Sequence, residues 1–136
     1  MANLELYQLK DMQLFTNPFN TLTSFKSITE YWSPKIIGEL NGQYIKIAKL
    51  KGEFVWHKHE FEDEMFLILK GNLTIDLKDN SINLKEGDVY IVPKNTMHNP
   101  NCKEECWVML MEPKETLHTG NVKNAKSKPI EEQLNS

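Results

Sequence analysis

Short runs with a two-residue apolar alternation, separated by turn signals, dominate the chain from Lys35 onward. Residues 35–40 and 43–50 are joined by Asn41-Gly42, a pair typical of a type I′ hairpin because both residues tolerate a positive φ. Further extended runs follow at similar spacing: 52–57, 64–70, 73–78, 81–84, 89–92, 97–100 and 105–112. This pattern predicts an all-β fold, either an antiparallel sandwich or a jelly-roll barrel.

The segments on either side of these strands have different patterns. Leu22, Phe25 and Ile28 are spaced by three behind two candidate capping residues, Asn20 and Thr21, which predicts a short N-terminal helix. After Pro113 the sequence becomes polar, which predicts a C-terminal tail with one closing helical turn at 129–134. Because 136 residues suit one domain, we divide the chain into an N-terminal arm (1–34), a β-barrel domain (35–113) and a C-terminal extension (114–136).

Composition excludes several classes of function. A net charge of −3 without a local cluster of basic residues disfavours nucleic-acid binding. The longest apolar runs, 65–69 and 106–111, are far shorter than the roughly 18 residues of a membrane span. The first six residues lack the basic and apolar regions of a signal peptide, so we expect a cytoplasmic protein. Cys102 and Cys106 are too few for a disulfide framework and are expected to be small buried thiols.

Three histidines and an acid carry the chemistry that the sequence suggests. His57 and His59 would share one face of a strand, and two such imidazoles bind divalent metals readily. Glu64 opens an apolar strand, where a carboxylate must be exposed, paired or bound to a metal. His98 stands at the head of a later strand. A solvent-facing histidine pair would give the same spacing, and Asp63 is an alternative carboxylate.

Two groups of residues resemble the conserved motifs of the cupin superfamily. The first group is Gly52, His57, His59, Glu64 and Gly71, and the second is Gly87, Pro93, Asn95 and His98. Gly52 lies one residue closer to the first histidine than is usual. Asn95 replaces a glycine but tolerates the same left-handed conformation, and Cys102 replaces a frequent asparagine. The chain is most similar to the small single-domain cupins that are described as resembling mannose-6-phosphate isomerase.

The resemblance implies a cupin-type double-stranded β-helix, or jelly-roll barrel, with one metal site. His57, His59, Glu64 and His98 would be the ligands of one divalent ion, whether Fe, Mn, Zn or Ni. Glu64 matches the motif better than Asp63 because six residues then separate it from Gly71. Three imidazoles and one carboxylate leave positions on an octahedral ion open for a substrate. The absence of cysteine from this set argues against a closed structural zinc site.

The superfamily contains both enzymes and binding proteins, so two functions remain open. The first is a metal-dependent isomerase or oxygenase that acts on a small polar molecule, either sugar-like or an oxygenated ring compound. The second is a non-catalytic protein that binds or senses a small ligand. A polar, water-filled cavity would favour the enzyme, and a sealed apolar pocket would favour the binding protein. No catalytic acid or base is assigned, because the strand phase of Tyr44, Lys46 and Tyr90 is not determined.

The remaining expectations concern surfaces. Val55 and Phe66 share the phase of the proposed ligands and would line the cavity, whereas Trp56 would face outward. His118 is expected at the surface, beyond the last strand. Residues 65–69 and 107–111 are apolar on both faces, so their outer sides need cover. We therefore expect a homodimer.

Overall fold

A computed structural model describes residues 17–114 and Gln133. His118, most of the C-terminal extension and the closing turn predicted at 129–134 lie outside the described residues, apart from Lys114 and Gln133. The described elements are α1 (Thr21–Ser24), a 3-10 turn (Phe25–Ser27), β1 (Lys35–Leu40), β2 (Gln43–Glu53), β3 (Glu64–Lys70), β4 (Leu73–Leu77), β5 (Ser81–Leu84), β6 (Val89–Val92) and β7 (His98–Pro113). In this part of the chain, no helix has the length and apolar character needed to cross a bilayer.

The seven strands form one antiparallel sheet that closes into a cupin-type jelly roll, which confirms the all-β prediction. The main path of the sheet is β1-β2-β7-β3-β6, and β4 pairs with both β5 and β7. β7 contacts three strands: residues 98–101 pair with β4, residues 101–102 and 106–113 pair with β2, and residues 107–111 pair with β3. A single long strand therefore connects the two halves of the barrel.

The predicted hairpin and helix are both present. Asn41 and Gly42 have φ values of 50° and 77°, as a type I′ turn requires. The Asn20 side chain accepts a hydrogen bond from the Thr23 backbone N–H and caps α1. The helix and the turn after it form the short N-terminal helical segment predicted from the spacing of Leu22, Phe25 and Ile28.

Two strand predictions were wrong in their boundaries. Residues 52–57 were expected to form a strand, but β2 ends at Glu53. Beyond it, the segment keeps the hydrogen bond from the Phe54 N–H to the Pro100 carbonyl and the single bridge between His57 and His98. The ladder of β2 with β7 shifts register between Leu50 and Gly52, resumes at Gly52 and ends at Glu53. Residues 97–100 and 105–112 were expected to be separate strands, yet β7 runs through both. It continues because Asn101 and Cys102 pair with β2 where a turn had been expected.

Apolar side chains fill the barrel and also cover part of its outer surface. The interior cluster includes Leu50, Phe66, Ile75 and Val108, which alternate with outward residues along their strands. The outer cluster consists of Phe25, Ile28, Ile37 and Ile47, packed against partly buried side chains of β2, β3 and β7. Phe25 stacks on Trp107 with ring centroids 4.6 Å apart. The N-terminal segment therefore packs on the outside of the sheet and leaves the barrel interior free for the site.

Candidate metal centre

The four side chains singled out in the sequence lie together inside the barrel. His57, His59, Glu64 and His98 are all buried, and one potential ligand atom from each lies within 4.8 Å of the others. Glu64 is the first residue of β3 and His98 the first of β7, while the other two histidines lie between β2 and β3. The site is therefore built from two strand starts and from the segment between β2 and β3.

A backbone bridge sets the geometry of His57 and His98. The N–H of His57 donates to the carbonyl of His98 at 3.0 Å, and the N–H of His98 donates back to the carbonyl of His57 at 2.9 Å. The two ring centroids are 4.3 Å apart. His57 and His59 do not lie on a regular strand, as had been expected, yet their rings still reach the same cluster, with centroids 5.2 Å apart.

Hydrogen bonds fix which nitrogen of two imidazoles faces the cluster. Nδ1 of His57 lies 2.9 Å from the carbonyl of Val55, and Nδ1 of His98 lies 2.8 Å from the carbonyl of Thr96. A carbonyl only accepts hydrogen bonds, so both Nδ1 atoms carry the proton and both Nε2 atoms keep a free lone pair. This is how histidine ligands are commonly oriented around a metal.

The donor atoms of the cluster are buried and lack hydrogen-bond partners. These atoms are Nε2 of His57, His59 and His98 and Oε1 of Glu64. Buried polar atoms without partners cost free energy, so each such atom requires an explanation. Three neutral imidazole nitrogens and one carboxylate oxygen are a suitable ligand set for Fe, Mn, Zn or Ni. The residues present therefore fit one divalent ion.

The electrostatics of the cluster favour a neutral His57 and an anionic Glu64, whereas Glu64 favours the protonated form of His59. Burial and the proximity of His98 lower the pKa of His57 to about 4. Burial also opposes the charged form of His59, but the Glu64 carboxylate outweighs it and raises the pKa of His59. Burial alone would raise the pKa of Glu64, but His59 more than offsets it and holds that pKa well below its usual value. At neutral pH, His57 is therefore a neutral donor and Glu64 an anion.

The alternative carboxylate, Asp63, has a different position. It is exposed, and its Oδ1 accepts a hydrogen bond of 2.8 Å from the backbone N–H of Lys94. The neighbouring Asn95 has a φ of 58°, the left-handed conformation expected for the residue that replaces glycine. Its N–H donates to the carbonyl of His59 at 2.7 Å. Asp63 and Asn95 thus hold the loop between β6 and β7 against the histidine segment, and Asp63 lies outside the donor cluster.

A small apolar cavity lies beside the cluster. Its volume is about 30 Å³, and its lining includes Trp32, Phe54 and Phe66. The rings of Trp32 and Phe54 stack with centroids 4.5 Å apart. In the described part of the chain, His57 and Glu64 are the only ionisable residues of the lining. The cavity therefore offers a substrate apolar contacts and the proposed ligands, and no further acid or base.

The expectations about the cavity were partly correct. Phe66 lines it as predicted. Val55 does not, because it lies on irregular backbone after β2, and its carbonyl holds His57 instead. Tyr44 and Lys46, which had no assigned strand phase, are buried in the barrel away from the cavity lining, and Tyr90 packs at the edge of the core.

The predictions for Trp56 and for the two cysteines agree with the structure. Trp56 is exposed, as expected. Cys102 and Cys106 are free, buried thiols, and burial raises their pKa values to about 11 and about 12. These values leave both thiols protonated and inert at neutral pH, which agrees with the prediction of small buried thiols.

Sequence reasoning missed one buried ion pair. The Nζ atom of Lys46 lies 2.8 Å from Oε1 of Glu112, and both side chains are fully buried. Burial and the Glu64 carboxylate raise the pKa of Glu112 to about 8, although Lys46 opposes the shift. The sequence held a usable signal, because Glu112 continues the inward phase of Val108 and Leu110 along β7.

Comparison with known proteins identifies the family. A model of the cupin domain family matches residues 44–120. A cupin-2 domain protein from Shewanella frigidimarina is 41% identical and has a TM-score of 0.70, covering 71% of this chain and 94% of that structure. Protein NMB1881 from Neisseria meningitidis is 31% identical with a TM-score of 0.66, covering 71% of this chain and 99% of that structure.

A protein from a second bacterial group is also similar in sequence to this chain. The uncharacterized protein YdbB of Bacillus subtilis strain 168 is 36% identical over 80 residues, which are 58% of this chain and 71% of that protein. The family match spans more than half of the chain and includes all four residues of the donor cluster. The chain therefore belongs to the cupin superfamily, as a small single-domain member.

Proposed function

We propose that the protein is a metal-dependent cupin in which His57, His59, Glu64 and His98 hold one divalent ion. The proposal is supported by the four buried donor atoms, which lie within 4.8 Å of one another and have no hydrogen-bond partners. Such an ion, when bound, supplies Lewis-acid or redox chemistry to a small molecule that coordinates it. The chain contributes the fixed tautomers of His57 and His98 and the anionic charge of Glu64.

We further propose an oxygenase that acts on an oxygenated ring compound, with O₂ as the co-substrate. Among the possible enzymes, the observation that favours an oxygenase over a sugar isomerase is the apolar cavity lined by Trp32, Phe54 and Phe66. A sugar isomerase needs hydrogen-bonding groups for the hydroxyls and an acid or base to move a proton. The described lining provides no such group apart from the proposed ligands, whereas its aromatic rings suit another ring and an apolar gas.

The size of the cavity limits how a ring can bind. About 30 Å³ is close to the space of one water molecule, so a ring must displace side chains of the lining. Trp32 and Phe54 are the largest of these side chains, and they stack on each other. Substrate binding should therefore change the fluorescence of Trp32. A Trp32→Phe variant shows how much of the fluorescence change of the protein comes from this residue.

A non-catalytic binding protein is the second candidate. A small apolar pocket is the feature expected above for this class, because it can hold a ligand without the additional acid or base that would convert it. The two candidates differ in turnover and not in ligand binding, so a single set of measurements separates them.

The test begins with metal analysis of the purified protein. The metal-free protein is then loaded with Fe²⁺, Mn²⁺, Ni²⁺ or Zn²⁺, and O₂ uptake is measured with phenolic ring compounds and with sugars. We expect one metal per chain and O₂ uptake with a ring compound, lost in His98→Ala. Isomerisation of a sugar without O₂ uptake would contradict the oxygenase, and tight ligand binding without turnover would favour the binding protein. Failure to bind any metal at neutral pH would contradict the whole proposal.

Assembly and location form a separate proposal. We infer a homodimer formed through the outer face of β3 and β6, where Val89 and Ile91 are each 54% exposed. The free thiols of Cys102 and Cys106 suit a reducing compartment, and we propose the cytoplasm. We retain the predicted arm (1–34), barrel domain (35–113) and C-terminal extension (114–136) as a proposed domain division.

A further inference from the structure

The buried ion pair between Lys46 and Glu112 has no role in the site described above. Lys46 lies on β2 and Glu112 near the end of β7, and neither side chain is exposed. Their Nζ and Oε1 atoms are 2.8 Å apart. Burying two ionisable side chains costs more free energy than their single contact generally returns. Such a pair inside a small barrel calls for a functional explanation.

Glu112 is also a neighbour of the proposed ligand Glu64. Met65 of β3 pairs with Met111 of β7, so the ladder places Glu64 and Glu112 next to each other across the two strands. Both carboxyl groups are buried in the barrel, and each shifts the pKa of the other. A continuous chain of contacts therefore runs from Lys46 through Glu112 to Glu64.

The two oxygens of Glu64 are distinguished by their surroundings. Oε1 faces the imidazoles, at 3.4 Å from Nε2 of His59 and 3.7 Å from Nε2 of His98. Glu112 does not belong to the group whose donor atoms lie within 4.8 Å of one another. Glu112 can therefore reach Glu64 but not the space between the imidazoles, and any influence on a bound ion passes through Glu64.

We propose that Lys46 and Glu112 are positioning residues that hold the Glu64 carboxylate with one oxygen turned toward the imidazoles. Lys46 fixes Glu112, and Glu112 fixes Glu64. The inference rests on the proposed metal centre, since Glu64 acts there as a ligand. A carboxylate that is free to rotate binds a metal less well, and partners of this kind typically contribute a factor of about 10–100 in metal affinity.

Two double variants separate positioning from a purely structural role. K46M/E112L replaces the pair by apolar side chains, a change that is often neutral for folding. K46M/E112Q also removes both ionisable groups, but it keeps a side chain of the same length whose amide can donate a hydrogen bond to Glu64. Affinity for Co²⁺, the visible spectrum of bound Co²⁺ and the unfolding temperature of the metal-free protein are measured for each variant and for the wild type.

We expect K46M/E112L to bind Co²⁺ about 10–100-fold more weakly, with an altered spectrum, while its metal-free form unfolds near the wild-type temperature. K46M/E112Q should recover affinity to within about threefold of the wild type, because its amide replaces the contact to Glu64. Unchanged affinity and spectrum in K46M/E112L would overturn the positioning role and leave the metal centre intact. A wild-type protein that does not bind Co²⁺ would overturn the metal centre itself, and the positioning role with it.

A crystal structure of the Zn²⁺-loaded wild type tests the proposal independently of the variants, and so covers the case in which neither of them folds. We expect one oxygen of Glu64 on the metal and the other in contact with Glu112. A Glu64 that binds the ion through both oxygens, away from Glu112, would overturn the proposal.

Discussion

The Glu64 carboxylate links the proposed ligands to the rest of the barrel interior. It is the only anionic member of the donor cluster in the described part of the chain, and it lowers the cost of bringing a cation among three imidazoles. Asp63 directly before it carries the same charge but lies at the surface, bonded to the Lys94 backbone. The two adjacent acids therefore form a matched pair for testing which one binds the metal.

Substitution of each acid by its amide tests that difference. Glu64→Gln should weaken Zn²⁺ binding by on the order of 100-fold, because it replaces an anionic ligand with a neutral one. Asp63→Asn removes the same charge one residue away and should leave the affinity within about twofold, as expected for an exposed acid outside the cluster. Isothermal titration of the metal-free proteins provides the comparison. Equal losses in both variants would argue against the assignment of Glu64.

Proton competition at the histidines sets the pH dependence of metal binding. Each imidazole must be neutral to coordinate, and the Glu64 carboxylate raises the pKa of His59 above its ordinary value of 6.5. Protons should therefore displace the metal as the pH falls through the raised pKa of His59, well before His57 titrates near pH 4. Zn²⁺ affinity measured from pH 8 to pH 5 should fall, beginning at or above pH 6.5. A constant affinity down to pH 5 would contradict imidazole ligation.

At the level of residues, the sequence predicted which four side chains come together in the donor cluster but not what supports them. The spacing of His57, His59, Glu64 and His98 carried enough information because the ligand set recurs as a motif. The pair of Lys46 and Glu112 has no motif. Alternation along β2 and β7 could have placed both residues inside the barrel, but their mutual contact depends on how two distant strands pair.

Among the elements, the turn after β3 depends on one glycine. Gly71 has a φ of 83°, and a Cβ at this position would lie 2.7 Å from the backbone carbonyl oxygen of Glu105. Gly87 has a similar φ of 89°, but a Cβ there would have nothing within 4 Å. The two positions separate the cost of the left-handed conformation from the cost of the steric clash.

Alanine substitutions at the two glycines should differ accordingly. Gly87→Ala should cost about 1–2 kcal/mol in the free energy of unfolding, the usual cost of a left-handed residue with a side chain. Gly71→Ala should cost about 2–4 kcal/mol, because β7 must also move to accommodate the Cβ. Urea denaturation of the metal-free proteins measures both. Equal losses in the free energy of unfolding would mean that the backbone at Glu105 moves aside without a measurable cost.

The errors in the strand predictions have a common physical cause. Alternation within a run shows where a strand can form, but the extent of a strand is decided by its partner. β2 ends at Glu53, where its ladder with β7 ends, and β7 stays extended through Asn101 because β2 and β4 both pair with it there. Neither partner is visible from the local sequence.

For the molecule as a whole, the outer face of the sheet is covered unevenly. Phe25 and Ile28 cover the part formed by β1, β2 and β7. On the other side, Val89 and Ile91 of β6 are each 54% exposed. Their direct cross-strand partners on β3 are Leu67 and Met65, which therefore share the same face. This continuous apolar patch lies on an edge strand of the main sheet path, where a second copy of the chain can pack.

Charges on this patch should separate the proposed dimer. V89K/I91K places two cations on the outer face of β6, where burial against an identical charged face is unfavourable. We expect a dimer for the wild type and a monomer for this variant in sedimentation velocity. Zn²⁺ affinity should not change, because both side chains point away from the barrel interior. Leu40→Lys is the control, since Leu40 is also exposed, at 50%, but lies next to the turn between β1 and β2. A monomeric wild type, or a variant that remains dimeric, would exclude this face as the interface.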